Sequence, residues 1–171
     1  MNQTFSQQQS YTFDNIKTYL AAVIFIIGNV LLPQLCHLIP NGGFIFLPIY
    51  FFTLVGALVF GWRVGLLTAL SSPLVNFLLF GMPPVAMLPV IEVKSVLLAC
   101  IAGIAVMKFK KVNLLLIALV VILSQIAGGL FEWCWTSNIM SAVQDFRIGV
   151  PGILLQIFGG YAAVKLIAEH K

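Results

Sequence analysis

Apolar residues run along this chain in six long blocks, separated by short polar or glycine–proline breaks. The blocks are too continuous for the single apolar stripe of a water-facing helix. At about 20 residues each they match the ~30 Å hydrocarbon core of a bilayer. The pattern predicts spans at 19–38, 44–60, 64–80, 85–107, 114–135 and 148–167, after a polar lead-in over 1–18. Pro33 lies inside the first block and predicts a kink or an early end there. The breaks are Pro40-Asn41-Gly42-Gly43, Gly61-Trp62-Arg63, Pro83-Pro84, Lys108-Phe109-Lys110-Lys111 and the longest loop, Thr136 to Phe146. The expected fold is an all-α integral membrane protein, a six-transmembrane-helix bundle over 19–168.

Composition supports this. The 171 residues are 61% hydrophobic and 8% charged, whereas a soluble domain is about 25% charged. Six spans use nearly the whole chain and leave no room for a sizeable domain outside the membrane. The net charge of +4 therefore reads as loop charge, not as a nucleic-acid surface. An even number of spans puts Lys17, Arg63, Lys108, Lys110, Lys111, Lys165 and Lys171 on one side, leaving only Lys94 and Arg147 elsewhere. By the positive-inside rule both termini are cytoplasmic. Cys36, Cys100 and Cys134 are scattered, and neither they nor His37 have metal-ligand spacing, so no metal or cofactor is expected. No nucleophile motif, zinc motif or phosphate-binding loop occurs, which argues against an enzyme and against ATP use by the chain itself.

The polar residues within the spans carry the functional signal. Asn76 lies about one helical turn before the corner at Phe80-Gly81 and Pro83-Pro84. Glu92 and Lys94 follow about two turns after it at similar shallow depth, and the three read as one wall of a site. Glu92 and Ser95 share a helix face, while Lys94 lies about 200° from Glu92 and either pairs with a neighbouring helix or reaches the interface. The plainer alternative is that Glu92 and Lys94 both snorkel to water. Gln125 and Glu132, seven residues apart, share a face with Gly128 between them; Trp133 and Trp135 follow, and Gln156 lies within the last span. These groups concentrate in the outer half of the membrane, and the inner half is nearly all aliphatic. A channel needs polar lining throughout, so the asymmetry predicts a pocket open outward and closed below. Its candidate residues are Asn76, Glu92, Ser95, Gln125, Glu132, Trp133 and Gln156. Trp133 would stack on a flat ligand, whereas Trp135 fits the interfacial aromatic belt. Glu92 and Glu132 suit a ligand with a protonated or hydrogen-donating nitrogen. Small residues four apart (Ala57 and Gly61, Gly61 and Gly65, Ala99 and Gly103, Gly159 and Ala163) predict close helix approach.

The run GWRVGLLTALSSPLVNFLLFGMPP (61–84) and the glutamate just inside the next helix complete a pattern. With Gly61, Gly65, Ser72-Pro73, Gly81-Met82-Pro83 and Glu92, the chain resembles the substrate-binding S components of energy-coupling factor (ECF) transporters. The resemblance implies capture of a vitamin or vitamin precursor from outside a bacterial or archaeal cell, beneath the loops joining helices 1–2, 3–4 and 5–6. It implies a transmembrane T component and two cytosolic ATPases as partners. The family's Ala-x-x-x-Ala pair on helix 1 is not met, since Phe25 and Ile26 follow Ala21 and Ala22. Ala22 with Ala57, Gly61, Gly159 and Ala163 are the candidate contacts to the T component. The competing reading is a non-transport membrane scaffold of the cell-shape, MreD-like type.

Overall fold

The computed structural model describes residues 11–169, and among these the fold is helical throughout, without strands. Five helices are long and apolar enough to cross a membrane: α1 (Ile16–Cys36), α4 (Trp62–Phe80), α5 (Leu88–Phe109), α6 (Leu114–Thr136) and α9 (Val150–Glu169). Between α1 and α4 come a short helix, α2 (Gly42–Phe46), and an apolar helix, α3 (Pro48–Phe60). Most of the expected 1–18 lead-in lies outside the described residues, and α1 begins before its expected end. Asn15 starts α1 by accepting the Lys17 N–H at 3.0 Å, and Asn113 starts α6 by accepting the Leu116 N–H at 2.7 Å.

The expected span over 44–60 is interrupted. Leu47 adopts a left-handed backbone (φ 46°), which separates α2 from α3. At 1.5 Å per residue, α3 is about 20 Å long, short of the ~30 Å core. It is also the most enclosed helix: every residue from Thr53 to Val59 is buried. The expected 136–146 loop is likewise structured, holding α7 (Ile139–Ala142) and α8 (Gln144–Arg147). Sequence periodicity misses both breaks, because the hydropathy is continuous across Leu47 and the two short helices are only a turn each.

Glycine sets the closest approaches. Gly61 links α3 to α4 with φ 99° and ψ 170°, a conformation essentially reserved for glycine. A Cβ on Gly65 would meet that of Ala57 at 2.5 Å, and one on Gly103 would run into Trp62. The small-residue spacings therefore serve packing within the chain, as close helix contact in lipid demands. Exposed apolar side chains cover the outside: Leu20, Ile24, Ile27, Leu31 and Leu35 on α1, and Leu115, Leu119, Leu123, Ile126 and Leu130 on α6. The polar groups go inward. This inside-out arrangement is that of a multi-pass membrane protein.

Two buried polar clusters result. The first ties α1, α3 and α4 together. Asn29 donates to Thr53 Oγ1 (3.0 Å) and Ser72 Oγ (3.2 Å), and its Oδ1 accepts the Phe52 N–H (3.1 Å). Asn76 donates to the Asn29 carbonyl (2.9 Å) and the Ser72 carbonyl (3.0 Å). The second cluster joins α5, α6 and α8.

Candidate functional site: a lysine between two carboxylates

Lys94 of α5 projects toward α6, and its stem crosses that helix at Gly128, where an added Cβ would lie 2.6 Å from Lys94 Cγ. The glycine thus brings the ammonium to Glu132, one turn further along α6. Lys94 Nζ forms an ion pair with Glu132 and a second one, at 2.8 Å, with Asp145 Oδ2 on α8. All three are buried: Lys94 is 6% exposed, Glu132 2% and Asp145 8%. An ammonium at such a place costs several kcal/mol in lost hydration, and two carboxylates within hydrogen-bond reach offset it. Fully ionised, one cation and two anions leave the cluster with a charge of −1.

Against Lys94 is a cavity of about 10 Å³, also lined by Tyr50, Leu98, Ser124, Gln125 and Gln156. That is about the room one water needs. Gln156 sits on a π-helical turn, Leu155–Gly159, within α9, a distortion frequent at functional sites. It is 1% exposed, and its Nε2 has no hydrogen-bond partner.

In place of the expected open pocket is this water-sized cavity, and Asp145, on the α6–α9 connection, is ion-paired to Lys94, one of its lining residues. Of the residues chosen from sequence, Gln125, Glu132 and Gln156 do converge, with Gly128 between the first two as the spacing implied. Asn76 does not join them; it belongs to the α1–α4 junction described above. Glu92 and Ser95 do not line the cavity either, although Glu92 Oε2 and Ser95 Oγ are buried without hydrogen-bond partners. Trp133 faces outward at 47% exposure, continuing the apolar outer face of α6, since it lies 100° around the helix from Glu132. Trp135 is also exposed and stacks on Phe131 at 6.0 Å. Glu132 already has its cation in Lys94, which removes it as an open seat for a ligand nitrogen.

Among the candidate docking residues, Ala22, Ala57 and Gly61 are buried inside the bundle, while Gly159 and Ala163 on α9 are half-buried. Gly159 packs near Phe51.

Asp145 and Tyr50 were not selected from sequence; Lys94 was expected to pair with a neighbouring helix or to reach the interface, and it pairs, with Glu132 of α6. Charge counting could have found the triad. The chain has five acidic residues, of which Asp14 and Glu169 lie near its ends. Glu92 points away from Lys94, so a buried Lys94 leaves Glu132 and Asp145 as its partners. Tyr50 carried no signal, because the break at Leu47 that turns it inward is silent in the sequence. Among the described residues no group of His, Cys, Asp and Glu could hold a metal ion. Comparison with protein-family models, with curated proteins and with solved structures finds no match.

Proposed function

We propose that this chain is the substrate-binding S component of an ECF-type importer, capturing a small vitamin or vitamin precursor from outside the cell. The observation that carries the reading is the one-sided placement of buried polar groups. Tyr50, Lys94, Gln125, Glu132, Asp145 and Gln156 meet toward one end of the bundle. The opposite half is filled by Val59, Val64, Val106, Val112 and Ile117. Such a chain has a place to hold a solute and no polar path to pass it on, so a T component and two ATPases supply the transport.

In this reading α2 and α3 together make an interrupted sixth crossing. The irregular backbone at Leu47 is tolerable at membrane depth because it is enclosed by protein. Both termini are then cytoplasmic, with Lys17, Arg63, Lys108, Lys110, Lys111, Lys165 and Lys171, in the cell membrane of a bacterium or archaeon. Gly159 and Ala163 remain the small residues able to admit the T component. One observation favours the scaffold reading instead: the cavity holds about one water, whereas ligand sites are typically hundreds of Å³. In the importer reading, the α7–α8 connection moves to admit the ligand. Uptake of vitamins by cells expressing the chain, with and without the T component and ATPases, tests the proposal.

A further inference from the structure

We infer that the end of the bundle opposite the Lys94 cluster binds anionic phospholipid, and that Arg63 is the seat of a lipid phosphate. The inference rests on the membrane-spanning fold and not on the capture reading.

The start of α1, the α3–α4 turn and the end of α5 meet at this end. Arg63 Nη1 donates to the Tyr11 carbonyl at 3.3 Å, Phe13 meets Trp62 edge to face at 5.7 Å, and Gly103 of α5 packs on Trp62. Helix α9 runs alongside α3 to the same end, with Gly159 near Phe51 and Gly160 near Leu54. Gathered there are Lys17, Arg63, Lys108, Lys110, Lys111 and Lys165, against two acids, Asp14 and Glu169. The other acids, Glu92, Glu132 and Asp145, lie toward the opposite end, and the sequence over 1–10 and 170–171 contains no acidic side chain. Six bases against two acids leave four positive charges whose complement lies outside the chain.

The position of these cations identifies the partner. They stand at the ends of spanning helices, beside apolar side chains that face outward: Phe13 against Arg63, Ile16 next to Lys17, and Phe109 between Lys108 and Lys110. Apolar groups with cations just beyond them match the boundary between acyl chains and headgroups. An acidic protein surface would complement the charge and leave the apolar groups without a partner. A leaflet of anionic lipid complements both.

Arg63 is the best prepared of the cations. Its guanidinium lies 5.0 Å from the Trp62 ring centroid and 5.7 Å from that of Phe13, and it pairs with no carboxylate among the described residues. The Tyr11 carbonyl takes one N–H, and the others form a planar fork that fits phosphate oxygens. A guanidinium already held between two rings loses little freedom on binding. Lys108 and Lys111, on flexible stems, add attraction without fixing a position.

The experiment titrates the purified protein in neutral detergent with phosphatidylglycerol or phosphatidylcholine of the same acyl chains, read by thermal melts. Phosphatidylglycerol raises the wild-type melting temperature at a concentration at least about tenfold below that of phosphatidylcholine, and added salt weakens its effect alone. Arg63→Gln raises the half-maximal phosphatidylglycerol concentration at least about tenfold, and Lys111→Gln about fivefold. Arg63→Lys, which keeps the charge and loses the fork, does not restore the wild-type response. Equal wild-type responses to the two lipids overturn the inference, whether or not the variants fold. A wild-type response in Arg63→Gln or Arg63→Lys overturns the seat. Glycerol phosphate acting as well as phosphatidylglycerol overturns lipid as the ligand, and so does stabilisation by polyglutamate with none by phosphatidylglycerol.

Discussion

Replacing Lys94 by methionine retains most of its stem and removes its charge, leaving Glu132 and Asp145 buried beside each other without a cation. At 2.8 Å and an effective dielectric of about 20, a single Lys94–carboxylate attraction amounts to about 6 kcal/mol before desolvation. Most of that offsets the cost of drying the ions. Removing one member of such a cluster nevertheless costs about 3–5 kcal/mol, because the remaining charges stay buried unpaired. For a chain of this length that lowers the melting temperature by about 6–20 °C. The assay is a melt of the purified protein in detergent at fixed pH and ionic strength. Glu132→Gln and Asp145→Asn added to Lys94→Met should recover at least half of the loss, since a neutral triad has no stranded charge. Lys94→Met melting within about 2 °C of the wild type would refute the reasoning, as would a triple variant no better than the single one.

Asn29→Leu should cost about 1–3 kcal/mol in the same melt, because it removes the acceptor of the Phe52 N–H and the amide donor to the Thr53 and Ser72 hydroxyls, which keep only their own bonds to backbone carbonyls; an unchanged midpoint would mean the cluster does not hold α1 to α3 and α4. For orientation, single cysteines are placed in a background with Cys36, Cys100 and Cys134 replaced. Those within Lys108–Lys111 should resist an impermeant thiol reagent on intact cells, and those within Thr136–Gln144 should react; the reverse would invert the proposed topology.

The spanning helices were legible because their cause is local: continuous apolar runs ended by Gly61, Gly81 or the lysines at 108–111. Their ends fall within three residues of expectation at α4, α5, α6 and α9. The convergence of Gln125 and Glu132 was legible for the same reason, as one helix face. What escaped is non-local. The partner of Lys94 is 51 residues away on a one-turn helix whose sequence resembles a loop. The break at Leu47 depends on how α2 packs against α9, where Gly152 meets the Phe46 backbone. Asn76 looked like a site residue because a polar group in a span signals function by default. It is instead used in helix packing, and only the three-dimensional position of Asn29 reveals that.

On the proposed reading the chain captures a solute at the Lys94–Glu132–Asp145 cluster and depends on other subunits to import it. The most direct test is uptake of radiolabelled vitamins and precursors by cells expressing the chain alone, with the T component and ATPases, and with those subunits plus Glu132→Gln. Accumulation only when all subunits are present, and its loss on Glu132→Gln with the protein still in the membrane, is the predicted result. Accumulation against a gradient by the chain alone, or uptake indifferent to Glu132→Gln, would contradict it.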